Sequence, residues 1–173
     1  MKMELAQAVL SSVLAMGRRE SPIEEMFALA LLYEPLRLDP RRPPMLMTRF
    51  EPVMSSFDET WAACERANID PRLSTMSSGQ IACFYELRIE RMRVDFVFIS
   101  PLARVAVELD GHDFHERTKE QAKRDKRRDR RLQVLGFRVL RFTGSEVYAD
   151  PHRCVSEVLE LIRSIHIEKA GGE

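Results

Sequence analysis

The sequence predicts an α/β protein with a mixed central sheet flanked by helices. Three observations carry that prediction. Residues 81–109 alternate apolar and polar with a period of two, the mark of half-buried strands. The stretches on either side repeat apolar residues every three to four positions, as amphipathic helices do. A last alternating segment, 137–142, is separated from the others by a long helical run, and that spacing brings a strand back into the same sheet after a helix.

Taken in order, residues 3–16 place Leu5, Ala8, Val9, Val13 and Leu14 at helical spacing, giving an N-terminal helix within 1–20. Ser21 is a fitting N-cap, with Pro22 at the first helical position and Glu24 at the third, a capping-box arrangement. Met26, Phe27, Leu29, Ala30 and Leu32 supply the buried stripe of that second helix. Pro35, Pro40, Pro43 and Pro44 make 35–44 a loop, and 45–79 shows no clear pattern beyond a short helix at 59–68. Strands follow at 83–89, 92–99 and 105–109, the last two joined by Ser100-Pro101, in an antiparallel meander. A helix over 116–135 stops at Gly136, where a left-handed residue is needed. After strand 137–142, Asp150 and Pro151 open a closing helix whose face is Val155, Val158, Leu159, Ile162 and Ile165. The 173 residues suit one domain: 1–20 an N-terminal helix, 35–79 a variable insertion, 81–167 the core.

Composition narrows the function classes. No uncharged apolar run nears the roughly 18 residues that cross a bilayer, and Leu5 to Met16 is broken by Gln7, Ser11 and Ser12, so no membrane span is expected. The same segment has no basic start and no small-residue cleavage site, which argues against an export signal. Cys64, Cys83 and Cys154 are odd in number and lack C-x-x-C spacing, so the expectation is three buried thiols with no disulfide partner, in a reducing cytoplasm. Net charge is zero but unevenly spread: residues 1–87 hold 9 basic and 12 acidic side chains, 88–142 hold 15 and 9, and 143–173 hold 3 and 6. A polyanion would meet the middle segment.

Two places in that segment carry chemistry. Alternation puts Asp95 in an otherwise apolar strand and projects Glu108 and Asp110 together from the next one. Carboxylates in apolar surroundings repel each other unless a cation lies between them, and oxygen-rich clusters suit Mg2+. Equally, a solvated strand end beside Gly111 could pair these acids with arginines. The second place is the helix, where 117–131 carries nine Lys and Arg against Glu120, Asp125 and Asp129. Intrahelical pairing of Asp125 and Asp129 with arginines one turn away absorbs part of that charge, and phosphate contacts would use the surplus. The contacts expected are Lys119, Lys123, Arg124, Arg127, Arg128 and Arg131. His112 and His115 form an H-x-x-H pair, a weak zinc signal without a third ligand.

The linked strings Arg-Val-Asp95-Phe, Val-Glu108-Leu-Asp110-Gly-His-Asp-Phe-His115, Arg124-Asp125, Arg128-Asp129 and Gly136-Phe-Arg-Val-Leu-Arg141-Phe resemble the restriction-endonuclease-like PD-(D/E)XK superfamily, nearest its very-short-patch-repair-like branch and relatives of unassigned function. The likeness spans roughly 88–165 and extends upstream to Ser21-Pro-Ile-Glu24. It implies a restriction-endonuclease-like core and a Mg2+-dependent endonuclease acting on DNA in repair or restriction, with Mn2+ as the other ion. Asp95, Glu108, the Leu109 carbonyl and Asp110 would be metal ligands, Glu24 would reach in from its helix, and His115 would move a proton. Asp110 stands where the superfamily usually has Lys, and Lys119 or Lys123 could replace that charge. Cutting both strands would favour a homodimer. The alternative is a catalytically inactive nucleic-acid-binding or protein-interaction module that keeps the fold.

Overall fold

The computed structural model describes residues 21–38, 57–70, 76–77, 81–111 and 119–170. The expected 1–20 helix, most of the 35–79 insertion, and His112 and His115 lie outside the described residues. The elements are α1 (Pro22–Leu38), α2 (Phe57–Arg66), β1 (Met76–Ser77), β2 (Ala82–Ile89), β3 (Met92–Ile99), β4 (Arg104–Asp110), α3 (Lys119–Val134), β5 (Arg138–Thr143), α4 (Gly144–Ala149) and α5 (Pro151–Ala170).

The five strands lie in the order β1-β2-β3-β4-β5. The first four pair antiparallel, and β5 returns parallel to β4 after α3, so the sheet is mixed as the sequence predicts. Each face buries its own core. On one side α1, α4 and α5 cover Ile81, Cys83, Phe96, Phe98, Val105, Val107 and Leu109, with the Phe27 ring tilted against Phe96 at a centroid distance of 4.8 Å. On the other, α2 and α3 cover Ala82, Phe84, Val97, Ile99 and Ala106. No helix among the described residues is long and apolar enough to cross a membrane.

Local chemistry explains the boundaries. Helix α3 ends in a Schellman motif: Gly136, at φ +87°, donates its N–H to the Gln133 carbonyl, and Phe137 donates to Leu132. Asn68 ends α2 in the same way, with Ile69 donating to the Cys64 carbonyl. Asp150 caps α5 by accepting the Arg153 N–H at 2.9 Å, as predicted. Two expectations need correction. Helix α1 continues past Pro35 to Leu38, because a proline in the last turn forfeits only one helical bond. A separate helix, α4, precedes the closing one, started by a capping box in which Thr143 N–H donates to Glu146 Oε2 at 2.8 Å. All three cysteines are free and buried, and burial pushes the Cys64 and Cys154 thiols up to about 11, so neither is a ready nucleophile.

Candidate active site

The sheet is irregular at one place. The β2–β3 register runs unbroken from Ala82↔Ile99 to Ile89↔Met92 except for Glu86 and Asp95, which do not pair. Glu86 there adopts φ +49°, a left-handed conformation that costs a non-glycine residue about 1 kcal/mol. Alternation slips at that point. Val94, Leu87, Ile89 and Met92 pack with the α2/α3 core, although strict parity would send them to the other face. Arg93 is turned the other way, and its guanidinium lies 3.9 Å from Glu24 of α1 and 4.0 Å from Glu86.

The β3–β4 ladder ends at the same level. Its last pair is Phe96↔Val107, and the Leu109 N–H that would continue it donates instead to Asp95 Oδ2 at 2.7 Å. The two strands therefore part around a side chain, and Asp95 and Glu108 come to share one notch. Glu108 is buried, 4% exposed, in ion contact with Arg128 of α3 at 2.6 Å. That contact is not a well-directed hydrogen bond, for Glu108 Oε1 and Arg128 Nε and Nη2 are all shut off from solvent without one. Burial pushes Glu108 up to about 7; Arg128 opposes that shift and Asp95 adds to it. Asp95 is also raised by burial, against the Leu109 N–H and the charges of Arg128 and Arg93.

Asp110 lies at the end of β4, its carboxylate bonded to Arg141 Nη1 at 2.9 Å. The same guanidinium takes Asp129 of α3 through Nη2 at 3.0 Å and Nε at 3.2 Å. Burial would lower the Arg141 pKa, but Asp129, Asp110 and Glu108 outweigh it and keep the group charged. Asp129 thus pairs across to β5 and not with an arginine one turn along its helix, a correction to the intrahelical reading. Arg141 stands beside Glu108 in the parallel β4–β5 register, so the two share a face. Sequence reasoning assigned Arg141 no role. The signal was there: its parity on an alternating strand, opposite a carboxylate of the same parity.

The structure thus brings Asp95 and Glu108 together, seats Asp110 nearby on Arg141, and leaves Glu24 on the α1 side, where it meets Arg93. Among the described residues no group of three His, Cys, Asp or Glu converges to hold a metal. The basic set on α3 divides. Arg124, Arg127, Arg128 and Arg131 line an open basin of about 1290 Å³ between the helix and the β2–β3 turn, where Arg131 grips Glu90 with two nitrogens. Lys119 and Lys123 lie exposed on a second ridge with Lys126. The cation of α3 that reaches Glu108 is Arg128; neither lysine is paired with it.

The helix-covered mixed sheet is consistent with a restriction-endonuclease-like core. Residues 75–162 match the restriction endonuclease-like family REase_MTES_1575, about half of the chain, and the chain belongs to that family. Searches of curated proteins and of solved structures found no match. Membership suggests a nuclease.

Proposed function

We propose that the protein is a Mg2+-dependent endonuclease that hydrolyses phosphodiester bonds in DNA, of the very-short-patch-repair-like kind, built as one domain. The observation that carries this reading is the notch where β3 and β4 part around Asp95 and Glu108. The residues fit one divalent ion: two neighbouring carboxylates are the usual protein share for Mg2+, which keeps its remaining positions for water and phosphate. The poorly directed contact of Glu108 Oε1 also leaves a buried oxygen that a cation would satisfy better. Mg2+ or Mn2+ held there would neutralise charge on the phosphate and acidify a water.

Asp95, tied to the Leu109 N–H, fixes the β3 side of the notch, and Glu108 fixes the β4 side. The Leu109 carbonyl and Asp110 are the further ligands proposed on β4. Glu24 acts through Arg93, whose charge also reaches Asp95. His115, a few residues beyond Asp110, is the proposed proton carrier in place of the absent Lys. The basin arginines would hold phosphates without reading bases, and a homodimer would allow both strands to be cut.

A second reading, an inactive nucleic-acid-binding or protein-interaction module, draws support from Arg128 and Arg141, which already neutralise Glu108 and Asp110. Incubation of supercoiled, linear and mismatched duplexes with Mg2+ or Mn2+ decides between them. Cleavage by the wild type that disappears in Asp95→Ala supports the enzyme. DNA retention without any metal-dependent cleavage sinks it.

A further inference from the structure

Two arginines meet the site carboxylates, and they are bonded very differently. Arg141 is saturated: three nitrogens are shared between Asp110 and Asp129. Arg128 is not. Its nearest approach to Glu108 is 2.6 Å, yet its Nε and Nη2, both closed to solvent, lack any well-directed bond. An arginine that is only a structural partner of a carboxylate usually faces it with two parallel N–H groups. Arg128 also lines the basin shared by Arg124, Arg127 and Arg131, so the same side chain borders both the carboxylate notch and the surface a polyanion would occupy.

We propose that Arg128 is a positioning residue that keeps the Asp95–Glu108 notch closed to cations in the free protein, its guanidinium holding the Glu108 oxygen that a divalent ion would use and turning to a phosphate in the basin when that ion enters. The inference rests on the metal-site reading above. The ion replaces the guanidinium as the cation beside Glu108 and the phosphate becomes the counter-charge of Arg128, so neither the carboxylate nor the guanidinium is left unpaired. The basin, which Arg128 already lines, supplies the destination. Nuclease chemistry is thereby linked to occupied substrate, since the ion and the guanidinium compete for one oxygen until a phosphate takes the guanidinium.

Mg2+ titration calorimetry on the DNA-free protein at pH 8 and low salt tests this, comparing wild type with Arg128→Ala, Arg128→Gln, Arg128→Lys and Asp95→Ala. Thermal melts identify any variant that fails to fold, and the Gln and Lys forms carry the test if the Ala form does. Removing a competing charge this close to the ion should tighten Mg2+ binding at least about tenfold in the Ala and Gln forms. The Lys form, which keeps the charge, should stay near wild type, and Asp95→Ala should lose binding. A structural prop would behave oppositely, its removal loosening the site. Unchanged or weaker binding in both neutral variants, with Asp95→Ala still defective, overturns the role given to Arg128 and leaves the metal site standing. Binding by both neutral Arg128 variants no better than by Asp95→Ala overturns the metal site, and this inference with it.

Discussion

Glu108→Gln should change the pH dependence of stability in a direction that few carboxylate substitutions show. Burial raises Glu108 from 4.5 to about 7, so the folded chain holds this proton more tightly than the unfolded one. Between those values the folded state binds more protons, and stability falls as pH rises. The contribution is fully present below about pH 4.5 and lost above about pH 7. At 1.36 kcal/mol for each unit, the loss is roughly 3 kcal/mol, a sizeable part of the stability of a domain this size. Glutamine has nearly the same shape and does not titrate. Its advantage over wild type should therefore grow by roughly 3 kcal/mol from pH 4.5 to 7.5 and then level off. Leaving Arg128 without its counter-charge adds an offset that does not vary with pH in this range, so the slope is the quantity to read. Urea unfolding at half-unit pH steps, without divalent ions, supplies it, with an unchanged m-value as the check that both proteins unfold alike. A difference that stays flat, or that grows toward acid, refutes the argument that Glu108 is held as a costly buried carboxylate.

Asp95→Ala should be destabilised by about 1–3 kcal/mol in urea unfolding, less whatever relief comes from removing a buried charge, because the Leu109 N–H loses its acceptor. Asp95→Asn keeps an acceptor there and should stay near wild-type stability while losing cleavage; equal instability of the two would show that the Leu109 bond does not hold the notch. Arg127→Ala, in the basin, should lower the salt slope of DNA binding by about one unit and weaken all sequences alike. Lys123→Ala, on the other ridge, should lower it less, and a larger effect there would move the DNA path. His115→Ala should cut the cleavage rate by about 10²–10⁴ with Mg2+ affinity unchanged, and a defect rescued by excess Mg2+ would make it a ligand instead. Glu24→Gln should shift Mg2+ affinity far less than Asp95→Ala in the same titration, since its carboxylate meets Arg93 and acts on Asp95 only through that guanidinium.

The sequence alone determined the elements whose cause is local. Alternation of period two placed β2 to β5, Gly136 marked the end of α3, and Asp150-Pro151 marked the start of α5, because backbone preference and face parity are written in neighbouring residues. It also named Asp95 and Glu108, since a charge in an apolar strand is visible without coordinates. The helix α4 was missed, although Thr143 followed three residues later by Glu146 carried the signal for its start. What only the tertiary structure decided is how the charges are matched. Arg128 could have faced solvent with its neighbours, Asp129 could have paired within its helix, and Arg141 could have been an ordinary strand-edge residue; each choice depends on how α3 lies across the β4–β5 edge. The slip at Glu86 was equally hidden, because a left-handed glutamate carries no sequence signal. That slip interrupts regular pairing at Asp95, and the notch lies at the same level: the Leu109 N–H turns to the Asp95 side chain instead of a strand partner, a contact 14 residues apart in sequence.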